Sequence, residues 1–284
     1  MFVRTGSVIV LCALAGPGVA APRPTPSPVA TTAQPAPSVS GQPLSAAELA
    51  QAIKTDSVAI PTPGELFAAL AKTTKPDWAG RYRGPIAMNY KTRAQIALNL
   101  GGLIADGFIA VEAQDAQQVK NTGSDIVKMA KALGVSENIL ARGNSINQFA
   151  ESDEWSALQE ELEATQNEVK NSMQSHRDQD LVILVSLGGW IRGTQVVSGL
   201  VVKNYDEKLG QVLRQPELLR FIRAKIGQIA PELQNDPLVK SVNGQLLEIE
   251  QIVAKPFGQG LTLAEVSKLN ENVNRLMQEI QKKN

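Results

Sequence analysis

The chain has 284 residues, 43% of them hydrophobic and only 4% aromatic, with 28 Lys and Arg against 28 Asp and Glu. A balanced charge gives no general reason to expect nucleic acid or an anionic membrane as a partner. One cysteine and one histidine, Cys12 and His176, leave thiol catalysis and ordinary transition-metal chemistry without support, so neither a cofactor nor a metal is expected.

Residues 1–20 read as a secretory signal: Arg4 gives the positive start, Val8–Ala15 the apolar run, and Gly16-Pro17-Gly18 the break before cleavage after Ala20. The apolar run is about eight residues, far short of the ~20 that span a bilayer. Cys12 sits inside that run behind the bulky Leu11, a poor setting for lipidation. Cleavage removes it, and leaves an exported, periplasmic or extracellular chain with no disulfide, which must rely on an apolar core.

Residues 21–44 carry seven prolines among Ala, Ser, Thr and Gln and read as a disordered, polyproline-like tether. The stretch 45–284 is read as one helical domain. Helices are expected over 45–54, 63–74, 92–118, 122–133, 137–150, 153–175, 179–203, 206–214, 217–229, 237–254 and 262–282, and no strand pair is convincing. Start signals in which a hydroxyl and a Glu or Gln three residues on satisfy free backbone donors occur at Ser45/Glu48, Thr62/Glu65, Thr92/Gln95 and Thr262/Glu265. Pro63 and Pro237 fit the first helical position. The expected fold class is an all-α multi-helix bundle.

Its centre is marked by a phrase that occurs twice: Leu100-Gly101-Gly102-Leu103-Ile104 returns as Leu187-Gly188-Gly189-Trp190-Ile191. Each glycine costs a helix roughly 1 kcal/mol relative to alanine, so paired glycines point to close approach of another backbone or of a ligand. Ala94, Ala97, Gly101 and Ala105 form a small-residue track on one helix, with Gly189 and Gly193 on the other. Two central helices crossing at their glycines, related by an internal duplication, are the expected arrangement. The sharper alternative makes Gly101, Gly102, Gly188 and Gly189 the floor of a ligand site, with Asp106 and Arg192 beside it. Those two charges lie a few residues beyond the glycines, and either neutralise one another at the crossing or project to solvent at the bundle edge. They also make stable membrane insertion of the mature chain costly.

Lys75-Pro76-Asp77-Trp78-Ala79-Gly80-Arg81-Tyr82-Arg83-Gly84-Pro85 sets two aromatics and three cations in one short loop. Such a loop can bind anions or sugars or anchor a partner through Trp78, Arg81, Tyr82 and Arg83. It can equally plug the end of the bundle. The acids Glu151, Asp153, Glu154, Glu160, Glu161 and Glu163 read as a solvated helix face, and His176 as a linker residue. No residue is assigned a catalytic role.

The segment Ile60-Pro61-Thr62-Pro63-Gly64-Glu65-Leu66 ahead of Tyr90, then Ala97-Leu98-Asn99-Leu100-Gly101 with Ala105-Asp106, then Leu187-Gly188-Gly189-Trp190-Ile191, resembles a group of exported bacterial helical proteins with no established activity. The resemblance covers roughly residues 58–202 and rests on the order and spacing of short motifs. That group commonly carries an aromatic where this chain has Gly102. The resemblance implies an exported helical fold. The function expected is that of a non-enzymatic envelope module for an unidentified protein or small molecule. The alternatives are a carboxylate-dependent hydrolase of an envelope polymer and a membrane-associating helical protein.

Overall fold

The computed structural model describes residues 62–72, 74–135, 142–175 and 178–283, without the side chains of residues 169–172 and 174–175. The signal, the tether, Cys12, the helix expected over 45–54 with its Ser45/Glu48 cap, and His176 lie outside the described residues. Within them the protein is all helix. In chain order the elements are α1 (Pro63–Ala71), a 3-10 turn (Ala79–Arg81), α2 (Arg93–Glu112), α3 (Ala116–Ala132), α4 (Gly143–Glu151), α5 (Trp155–Ser175), α6 (Gln179–Lys203), α7 (Glu207–Val212), α8 (Pro216–Ile226), α9 (Pro231–Gln234), α10 (Pro237–Val253) and α11 (Leu263–Gln281).

Helices α2 and α6 are apolar all round, as centrally buried helices are. Each is long and apolar enough to cross a membrane, with mean hydropathy of 1.5 and 1.4. In this fold they are the middle of the bundle: 83% and 78% of those stretches are buried. They make the most extensive helix pairing in the molecule, with α1, α3, α5, α8 and α11 laid against them.

Two of the expected caps close reciprocally. Thr62 accepts from Glu65 N while its own N–H donates to Glu65 Oε2, and Thr262 and Glu265 repeat the arrangement. Thr92 accepts from Gln95 N, but the Gln95 side chain turns inward, donating from Nε2 to the carbonyls of Ile280 (3.0 Å) and Lys282 (2.9 Å) at the end of α11. Asn99 joins it, donating to Ile280 O at 2.8 Å. These two buried amides hold the last turn of α11, whose Val266, Leu269, Val273, Leu276 and Ile280 complete the core.

The expected helix 92–118 ends six residues early. Gln114 takes a left-handed conformation (φ 52°), and Asp115 accepts from Gln118 N to start α3, which absorbs the element expected over 122–133. A short helix α9, begun by Pro231, was not expected.

Glu112, at the end of α2, is half-buried, and that burial pushes its carboxyl pKa above the ordinary 4.5. A raised carboxyl contributes its full stability below that ordinary value and loses it as pH rises through the folded-state value. Glu112→Gln is therefore expected to raise the thermal midpoint at pH 7. The gain should shrink as pH falls through the raised value and be gone below about 4, checked by melting curves across that range.

Candidate functional site

The glycines are positioned by the crossing of α2 with α6. A Cβ on Gly101 would lie 1.9 Å from Val185 O and 2.6 Å from Gly189 N, and one on Gly188 would lie 1.9 Å from Leu98 O. The two contacts are reciprocal, because Leu98 stands to Gly101 as Val185 stands to Gly188. A glycine Cα–H meets the opposite carbonyl on both sides, a weak bond that recurs at close helix interfaces. Gly189 faces Gly101 O and Pro63 Cγ, each at 3.3 Å from its would-be Cβ. The space freed by these three glycines is filled by protein, and none of them borders either recess described below. Gly102 faces a different neighbour: its would-be Cβ lies 3.2 Å from Arg83 Nη2.

One turn beyond the glycines, Asp106 holds two arginines. Its Oδ1 accepts from Arg192 Nε at 2.8 Å, and its Oδ2 accepts from Arg83 Nε at 2.6 Å, with Arg83 Nη2 at 2.5 Å. Arg192 also donates from Nη1 to Gln195 Oε1 (2.7 Å) and from Nη2 to the carbonyl of Arg81 (2.7 Å), tying α6 to the 3-10 turn. Beyond Gln195 the network crosses to α11. Gln195 Nε2 donates to Asn274 Oδ1 at 2.7 Å, and Asn270 donates to Gln195 O and to Ser198 Oγ. Arg192 is 5% exposed, so this is a buried cluster with two positive charges on one negative.

The third member, Arg83, was expected on the partner surface and not at the crossing. Burial lowers its pKa and Arg192 lowers it further, against the pull of Asp106. Its Nη1 and the nearby Tyr90 hydroxyl are buried without a hydrogen-bond partner among the described residues. Burial also pushes the Tyr90 pKa up, against the lowering effect of Arg83. The sequence held one signal for Arg83: a glycine, Gly102, on the face of α2 that a guanidinium has to reach.

Of the other loop residues, Trp78 is 7% exposed and packs on Phe67, ring centres 5.1 Å apart and tilted 55°. Tyr82 is half-buried and donates to Asp115 Oδ2 at 3.3 Å; burial first, then the Asp115 charge, pushes its pKa up to about 12. Asp77 Oδ1 accepts from Gly80 N at 2.9 Å and fixes the 3-10 turn. The loop is thus held by Trp78, by the Arg81 carbonyl and by Arg83, with the Arg81 and Tyr82 side chains half-buried.

Two recesses flank this loop. One, about 350 Å³, is lined by Tyr82, Arg83, Leu103, Asp106, Gln118 and Thr122, among others. The second, about 150 Å³, lies between Lys75, Asp77 and Arg81 on one side and the end of α6 with Lys203 on the other, over Leu70 and Leu200. Of the acids on α4 and α5, Glu151 pairs with Lys120, and Glu161 and Glu168 pair with Arg142. Among the described residues no three His, Cys, Asp or Glu side chains are grouped to hold a metal ion.

The fold and the site define an all-helical bundle with a buried Arg-Asp-Arg cluster beneath a doubly recessed loop. Comparison with protein-family models, with curated proteins and with solved structures finds no match.

Proposed function

We propose that the chain is an exported, non-enzymatic helical-bundle module of the cell envelope that engages a small ligand or a partner at the segment 74–86. The observation that carries this reading is that one short segment borders both recesses while its backbone is anchored by buried contacts. A site pre-set in this way loses little conformational freedom on binding. Export is supported by the reading of residues 1–20.

Native mass spectra of the mature protein, purified gently from its own exporting host, test the proposal. A reproducible extra mass, or a co-purifying protein released by a change at Tyr82, is the expected result. A bare chain with nothing co-purifying overturns it. The same spectra read the mature start, expected at Ala21.

A further inference from the structure

Among the described residues, Arg81 is the one arginine whose guanidinium donates no hydrogen bond and joins no ion pair. Every other described arginine donates to a carboxylate, an amide or a carbonyl: Arg83 and Arg192 to Asp106, Arg93 to Asp178, Arg142 to Glu161, Arg214 to Lys255 O, Arg220 and Arg223 to Glu250, Arg275 to Asn272. Arg81 is not a floppy surface residue. Its carbonyl is held by Arg192 and its turn by Asp77. Its Nε is buried with no partner, and its Nη1 lies 3.7 Å from where a Cβ of Gly199 would sit, on α6. The buried Nε fixes the side chain at a cost, and with no protein acceptor taken by the rest of the guanidinium, its Nη groups are left for an acceptor that comes from outside.

The surroundings say which acceptor. Gly199 and Lys203 are four residues apart on α6 and share a face, so Arg81 and Lys203 line the same recess, which Lys75 also lines. Neither lysine pairs with a carboxylate among the described residues. Among the described lining residues there are three cations and one acid, Asp77, whose Oδ1 is already used by Gly80 N. The C-terminal end of α6 adds roughly −0.5 of a charge, which by itself accounts for half of one lysine. The recess is left strongly positive, by between one and two charges. A phosphate monoester carries about −1.5 to −2 near neutral pH, whereas a single carboxylate would leave the site under-neutralised. Arginine's planar fork suits the paired oxygens of phosphate, and lysines serve it as point charges.

We infer that the recess between the 74–81 loop and the last turn of α6 is a phosphate site, in which Arg81 supplies the directional hydrogen bonds and Lys75 and Lys203 the surrounding charge. The inference rests on the reading of segment 74–86 as the engaged surface, and gives that surface a ligand class. The phosphate can belong to a soluble monoester or to a lipid headgroup.

The test is calorimetric titration of the full mature protein with inorganic phosphate at low ionic strength, beside co-sedimentation with phosphatidic acid and phosphatidylcholine vesicles. Saturable phosphate binding is expected, weakened at least tenfold in Arg81→Gln and less in Lys75→Gln or Lys203→Gln. The phosphate-free thermal midpoint of Arg81→Gln should not fall, since no protein contact of that guanidinium is lost; this separates lost binding from lost folding. Binding to phosphate without vesicle co-sedimentation identifies a soluble monoester. Arg81-dependent co-sedimentation with phosphatidic acid and not phosphatidylcholine identifies a headgroup. No saturable binding to either probe, or equal binding by Arg81→Gln, overturns the site. An extra mass in the native spectra with no phosphate binding removes this site and leaves the broader proposal standing; absence of both removes both.

Discussion

Gly101→Ala and Gly188→Ala are each expected to destabilise the protein by roughly 3 kcal/mol, the upper end of the usual overpacking range. Alanine would return about 1 kcal/mol of helix propensity at either position, so the clash has to exceed that gain to be seen. It does, because the atoms in the way are the carbonyl oxygens of Val185 and Leu98, each 1.9 Å from the added carbon. A backbone locked in its own helix cannot rotate aside as a side chain can; α2 and α6 would have to separate along their whole contact. Two comparisons sharpen the test. Gly102→Ala meets the end of the Arg83 side chain at 3.2 Å, a neighbour that can give way, and should cost much less. Gly123→Ala on α3 meets nothing within 4 Å and should stabilise by up to about 1 kcal/mol. Urea unfolding of the four variants reads all of this, provided the slopes agree. If Gly188→Ala behaves like Gly123→Ala, the helices do not cross at these glycines.

Asp106→Ala is expected to be the most damaging polar substitution, at about 3–5 kcal/mol, because it leaves two buried guanidinium groups with no counter-charge. The two arginines should differ when removed singly. Arg192 spans Asp106, Gln195 and the Arg81 carbonyl, so Arg192→Ala unties α6 from the 3-10 turn. Arg83→Met keeps the stem, relieves a like-charge neighbour and leaves Asp106 paired with Arg192, so its cost should be well below that of Arg192→Ala. Thermal unfolding of Asp106→Ala with and without Arg83→Met checks the arrangement: the second change should recover part of the loss. Equal stability of Asp106→Ala and wild type would refute a buried cluster.

Several helices were legible in the sequence from their caps and prolines, though α9 at Pro231 was not; α6 runs over 179–203 as its apolar stretch required, and Thr62 and Thr262 begin α1 and α11. The break at Gln114 was not legible, because a left-handed glutamine has no composition signal and Asp115 reads equally well inside a helix. Gln95 shows a related limit. The spacing that makes a capping box also places an amide one turn into the helix, and only the arrival of residues 280–282 decides which acceptor it takes. Asp106 and Arg192 could be set beside one another from their distance to the glycines. Arg83 could not, since its place depends on how an irregular loop folds back over α2. Arg81 was visible as one cation in an unusual loop, but its lack of a partner is a property of three-dimensional neighbours alone.

The grip of Gln95 and Asn99 on α11 also fixes a sequence of events. Ile280 meets Asn99 across 181 residues, and until that contact forms, α2 shows an uncovered amide pair and an apolar flank. Contacts of such long separation close late and slowly. A chain emerging from a ribosome thus cannot seal its centre until residues beyond 280 have been made. Until then the apolar flank that α11 covers is open, and exposed surface of that kind is what chaperones recognise.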